Sequence, residues 1–261
     1  VASIPLLFDV QQAVDAARWC HENGLKGVML PTMWGEHAAY HDIKYDPFWE
    51  ICEDLGIVIH FHSGPAPHHE YFGPAFPNED RSAELPGAMG AYVSEVMFWL
   101  YRPLTFMLWG GVFERFPRLK AMVVEGGTMF MVPSWLMLLD HNYTDIQFSA
   151  KLGDFRSHLS MAPSEYFARN CGIGASCVPR RDLDMRDQIG LEQIMWGSDF
   201  PHPEGTWPNT AQYYLDTFKG CDAEAGRKIL GGNAIEFYGL DRAYLDGLAT
   251  NIGPSKDIFA A

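Results

Sequence analysis

The sequence predicts a parallel α/β fold of the (β/α)8 TIM-barrel type, and two observations predict it. Short apolar runs alternate with longer stretches of helical periodicity, the rhythm of successive βα units. His62, Glu125 and Asp199 each stand at or just after the C-terminal end of an apolar run. In a barrel all strand ends converge on one mouth, whereas in a doubly wound sheet such residues meet only near the switch point. Their wide spacing along the chain favours the barrel.

The elements follow in order. Val1–Leu7 is the first apolar run. Gln11 to Asn23 carries Ala13, Val14, Ala17, Trp19 and Cys20 at helical spacing and stops at Asn23-Gly24. Lys26–Pro31 is the second strand. Asp46 to Leu55 opens with Asp-Pro and ends before Gly56, both helix punctuation marks. Ile57–His62 (IVIHFH) is the third strand, and the proline-rich segment Ser63 to Leu85 after it is too long for a simple connector. Val93–Trp109 and Val112–Phe116 read as helices, Leu119–Val124 as strand four, Val132–Asp140 as a helix and Phe167–Ala175 as strand five. Gln193–Trp196 is strand six; Asn209–Phe218 and Ala223–Leu230 are terminal helices. Six strands cannot close a barrel without unpaired edges. Either two strands lie outside these residues or the sheet is open.

Composition narrows the function. The 261 residues are 48% hydrophobic and 20% charged, ample for one large core and incompatible with a disordered chain. With 19 Lys+Arg against 33 Asp+Glu the net charge is −14, which argues against a nucleic-acid partner, since cationic side chains must supply that binding energy. The five cysteines form no CxxC pair, so a reducing, cytoplasmic setting is expected. The longest apolar stretch, Val93–Phe113, is interrupted by Glu95, Arg102 and Pro103, so no membrane span is expected; nor is a signal peptide, for want of a basic n-region. Glycine pairs fit neither a P-loop nor a dinucleotide fingerprint, and no Ser-His-Asp assembly stands out.

His60 and His62 alternate on one strand and point to one face. Imidazole is a common ligand of catalytic zinc, although a histidine in an apolar strand is as often a satisfied core group. His62 lies nearer the mouth and is the preferred ligand; His60 is assigned to the substrate side. Asp199 stands between Trp196-Gly197-Ser198 and Phe200-Pro201, whose restricted backbone aims a carboxylate that can ligate a metal or take a proton, although capping the next helix is the commoner use of such an Asp. Glu125 precedes Gly126-Gly127, where a ligand can approach the backbone, and is expected to be catalytic; its plainer use is a helix-dipole partner. Trp34, His68 and His202 are expected to bind substrate, with His37, His41, His69, Tyr71 and Phe72 around them as aromatic lining. His21, His141 and His158 read as surface or packing residues.

The segments Gly27–Pro31 (GVMLP), Ile59–Gly64 (IHFHSG), Val123–Gly127 (VVEGG), Ile194–Pro203 (IMWGSDFPHP) and Lys228–Asn233 (KILGGN) occur in this order. Together they resemble the amidohydrolase-related family (amidohydrolase 2), which includes aminocarboxymuconate-semialdehyde and resorcylate-type decarboxylases. The resemblance implies a distorted (β/α)8 barrel of the metal-dependent hydrolase type with one divalent metal, zinc first and manganese second. It implies that His62 and Asp199 are the strand 5 and strand 8 ligands. Val1–Leu7 then matches strand 3, so residues 1–261 are expected to form a single barrel domain from strand 3 through strand 8 plus C-terminal helices, with strands 1 and 2 and their ligand pair upstream. Glu125 departs from the family's decarboxylases, which carry histidine at that place.

The mechanism expected from these groups is hydrolysis of a small carboxylated or aromatic substrate by metal-activated water, with Asp199 accepting the proton and Glu125 positioning substrate or protonating the leaving group. The alternative is non-oxidative decarboxylation by a carboxy-lyase. A third reading, a degenerate barrel that acts as an interaction protein, follows from the absent strand 1 ligands and from Glu125. A homodimer is compatible with the aromatic content.

Overall fold

The computed structural model describes residues 1–32, 35–62, 87–126, 131–145 and 150–259. Its centre is a six-stranded, all-parallel sheet in the sequential order β1 to β6: Ala2–Ser3, Gly27–Leu30, Val58–His62, Ala121–Val124, Cys171–Ser176 and Ile194–Gly197. Parallel strands need crossovers, and helices supply them. Helix α1 (Val10–Glu22) joins β1 to β2, and α2 (Asp46–Leu55) joins β2 to β3. Further along come α3 (Ala88–Trp109), α4 (Val112–Arg115), α5 (Met131–Thr144) and α6 (Pro163–Asn170). After β6 the chain forms α7 (Thr210–Phe218), α8 (Ala223–Arg227), α9 (Asn233–Tyr238) and α10 (Arg242–Ile252). No described helix is long and apolar enough to cross a membrane.

Local chemistry explains the boundaries. Asp9 caps α1 by accepting from Gln12 N at 2.9 Å, and Pro47 enters α2 in its first turn while Gly56 leaves it at φ 64. The first strand is shorter than its apolar run predicts: Pro5 has no N–H for the ladder, and Phe8 N turns back to the Pro5 carbonyl at 3.0 Å. Strand five begins at Cys171 and not at Phe167. Pro163 starts a helix there, and Glu165 accepts from Ala162 N at 2.8 Å, so Phe167 is a buried helical residue.

The register divides the sheet into two faces. Val28, Ile59, Phe61, Val123, Ile173 and Ile194 belong to the main core, which packs against the helices. Trp49 of α2 is fully buried there, 5.8 Å from the Tyr40 ring, which in turn lies 5.6 Å from Phe61. The other face carries His60, Met122 and Gly172 in one row of Cα partners. It is covered by Phe237 and Tyr238 of α9, which pack with Val58, Met122 and Met195. The close fit demands small residues: a Cβ on Gly27 would lie 2.2 Å from the His60 ring, and one on Gly172 would lie 2.9 Å from Met195 Cε.

His60 is 2% exposed, and both ring nitrogens are engaged. The Val28 carbonyl can only accept, so Nδ1 carries the proton that meets it at 3.0 Å, and Nε2 accepts from the Tyr238 hydroxyl at 2.6 Å. This corrects the expectation that His60 faces substrate; it is a packing group beneath the site. Burial pushes its pKa down to about 4, against the opposing pull of the Val28 carbonyl. The unfolded chain protonates this imidazole near pH 6.5, while the folded chain resists until about pH 4. His60 therefore contributes its full stability above pH 6.5 and loses it progressively as pH falls toward 4, by roughly 3 kcal/mol in all. Urea unfolding of the metal-free protein at pH 7 and pH 4.5 is expected to show that slope, much reduced in His60→Gln. Equal slopes for the two proteins would refute the assignment.

Candidate active site

Three strands deliver three chemical groups to one place. His62 is the last residue of β3, Glu125 follows β4, and Asp199 stands two residues beyond β6. His62 Nε2 lies 3.1 Å from Glu125 Oε2, and both side chains are about one-third exposed, at 33% and 30%. Glu125 in turn faces the Asp199 carboxyl. The Asp199 carboxyl is accordingly held above the usual carboxylate range, first by burial and then by Glu125, with His202 opposing.

The backbone at this rim is unusual. Glu125 (φ 51), Cys177 (φ 50) and Asp199 (φ 58) are the non-glycine residues with positive φ among those described, and each follows a different, adjacent strand. Such conformations cost of order 1–3 kcal/mol apiece and survive only where surrounding structure enforces them. They turn three side chains out of the sheet toward one another. Cys177 was not singled out in the sequence, although it occupies the position after β5 that Glu125 occupies after β4. Burial and the neighbouring carboxylates of Asp199, Glu204 and Glu125 raise its thiol pKa, so it is a protonated neighbour and not a thiolate.

The loop after β6 brings two more groups. His202 Nδ1 is 3.6 Å from Asp199 Oδ2 and 3.5 Å from Glu204 Oε1. Glu204 is a further residue that the sequence reading missed: an exposed acid in a Pro/Gly-rich loop carries no periodic signal. Of the remaining expected groups, Trp34, His68, His69, Tyr71 and Phe72 lie outside the described residues. His37 packs edge-on against Phe8 at 4.7 Å, and His41 stacks on Phe106 at 5.2 Å. The structure does not bring those two to the His62–Glu125–Asp199 cluster by any described contact.

The donor chemistry suits a divalent cation. One imidazole nitrogen and carboxylate oxygens meet with acidic groups in excess, and a cation there would relieve the like-charge crowding of Glu125 and Asp199. Among the described residues, Asp199, His202 and Glu204 also offer ligand atoms within 4.8 Å of one another.

Fold and site together define an α/β chain that gathers acid and imidazole groups at the C-terminal ends of a parallel sheet. The amidohydrolase family model matches residues 1–240, and the chain belongs to that family. It is 24% identical over 245 residues to a 2-amino-3-carboxymuconate-6-semialdehyde decarboxylase from Dictyostelium discoideum, a match covering 92% of this chain and 61% of the relative. The chain thus spans about three-fifths of that protein's length. Among solved structures, an amidohydrolase from Mycobacterium avium subsp. paratuberculosis superposes with a TM-score of 0.70 at 22% identity, covering 92% of this chain and 57% of the other. A dihydroxybenzoic acid decarboxylase from Polaromonas sp. JS666, with bound manganese and the inhibitor 2-nitroresorcinol, gives a TM-score of 0.65 at 20% identity, covering 92% and 69%. At these identities the structural likeness establishes the fold.

Proposed function

We propose that the chain provides strands 3 to 8 of a closed (β/α)8 barrel whose mouth binds one divalent cation and removes CO2 from a small aromatic or unsaturated carboxylate without oxidation. The observation that carries this reading is the meeting of His62, Glu125 and Asp199 at the ends of three strands. The substrate class is supported by the relatives named as decarboxylases.

His62 and Asp199 would hold the cation, together with the ligand pair expected on strand 1. When bound, it supplies Lewis-acid binding for the substrate's carboxylate and an adjacent oxygen. Manganese is the first metal to test, because carboxylate oxygens dominate the described donors and the Polaromonas structure contains it. Glu125, 3.1 Å from His62 and facing Asp199, can deliver a proton to the carbon that loses CO2 and take up the next one from solvent. The carboxy-lyase is preferred to the hydrolytic alternative because the relatives are named as decarboxylases of carboxylated substrates.

Turnover in D2O by the full-length, manganese-loaded protein tests the reading with a panel of ortho-hydroxybenzoates and carboxymuconate semialdehydes. Release of one CO2 with one deuterium on the vacated carbon is expected. Solvent 18O in the product would establish hydrolysis in its place, and a metal-loaded protein inert to the whole panel would support the degenerate interaction protein. Glu125→Gln keeps the side chain's shape but cannot deliver a proton. Its kcat is expected to fall at least about 10²-fold with KM changed much less, read from initial rates.

A further inference from the structure

We propose that Asp199, His202 and Glu204 form a second divalent-cation site on the outer rim, with the Asp199 carboxylate common to it and to the cluster at His62. The inference adds a cation to the reading above, and it stands on two residues, His202 and Glu204, that the inner site does not use.

All three ligands come from one loop whose backbone is tied to itself. His202 N donates to the Asp199 carbonyl at 2.8 Å, Gly205 N to the His202 carbonyl at 3.0 Å, and Thr206 N to the Ser198 carbonyl at 2.9 Å. Gly205 sits so close to the turn that a Cβ there would lie 2.6 Å from the Asp199 carbonyl oxygen. The side chains therefore project from a loop with little freedom to rearrange.

Their spacing discriminates between two ways of meeting. An imidazolium paired with a carboxylate closes to about 2.7–2.9 Å. Here Nδ1 faces two carboxylate oxygens at 3.6 and 3.5 Å, too long for either to be such a bond. Donors bonded to a common cation at about 2.0–2.2 Å with tetrahedral angles stand roughly 3.3–3.6 Å apart. The measured distances fall in that range, as if around a shared ion. One nitrogen and two carboxylate oxygens make a donor set for zinc, cobalt or manganese. The Asp199 side chain is 12% exposed and anchors the site, whereas His202 at 53% and Glu204 at 78% leave the outer coordination positions to water. Asp199 also faces Glu125, so its carboxylate stands between two donor groups, where carboxylates bridge paired cations.

The test counts metal. Full-length protein is stripped by a chelator, dialysed against manganese and analysed by atomic emission, as wild type, as His202→Ala/Glu204→Gln and as His62→Ala. The double variant is expected to bind one equivalent fewer than wild type, with an unchanged unfolding midpoint in the metal-free state. His62→Ala is expected to keep the rim cation, which would broaden the His202 ring protons in its NMR spectrum. Equal stoichiometry and affinity for wild type and the double variant, or sharp His202 signals in manganese-loaded His62→Ala, overturn the rim site and leave the inner reading standing. Wild-type binding by His62→Ala would instead remove the inner reading.

Discussion

Asp199→Asn is expected to reduce kcat/KM by roughly 10³-fold or more, because on the reading proposed above one substitution removes a cation ligand from the His62–Glu125–Asp199 cluster. The amide keeps the size and most hydrogen-bonding shape of the side chain, so the fold should survive. What changes is charge: Asn cannot bind a cation as a carboxylate does, and it leaves Glu125 beside a neutral neighbour. Two readouts separate the contributions. Metal content at fixed free manganese should fall, and excess manganese should restore occupancy before it restores rate. Activity within about tenfold of wild type, with normal metal content, would remove Asp199 from the machinery.

Trp49→Ala is expected to cost about 3–5 kcal/mol of stability, the range for deleting a large buried aromatic side chain. The indole is fully buried with Phe48, Tyr45 and Tyr40 as ring neighbours at 5.4, 6.2 and 5.8 Å. Tyr40 then leans on Phe61, the residue before His62. The cavity would lie two rings away from the site, so a loss of metal affinity should accompany the loss of stability. Trp49→Phe should be milder by about 2 kcal/mol, since it keeps most of the ring volume and removes an indole N–H that has no hydrogen-bond partner among the described residues. Denaturant midpoints for the three proteins check both statements; equal midpoints for Ala and Phe would contradict the packing argument.

Much of this architecture was legible in the residues because local and global signals agree. IVIHFH can be little else than a buried parallel strand, and Asp-Pro at one end with Gly at the other delimits α2 as observed. The site was legible through a single rule, that polar residues ending apolar strands share a mouth. That rule proposed His62, Glu125 and Asp199, which the structure brings together, and passed over Cys177 at the end of β5. Where signals conflict the sequence misleads. Phe167 reads as strand because a short apolar run fits both periods, and only the capping by Glu165 decides for helix. Helix α10 has no buried residue, so no apolar stripe announces it. His60 and His62 are alike in sequence; what separates them is Tyr238, which closes over one and not the other from 178 positions away.

That last contact sets an order of events during synthesis. Strand β3 leaves the ribosome with its imidazole at position 60 long before the tyrosine, 178 positions later, that will satisfy Nε2 and shield the methionines beside it. Until then the underside of the nascent sheet presents Met122, Met195 and an unsatisfied histidine to the cell, and a chain ending before residue 237 would present them permanently. Contacts this distant are slow to form and leave apolar surface open meanwhile. The growing polypeptide therefore keeps this apolar face open until α9 docks, and truncation before Phe237 would be felt first as aggregation.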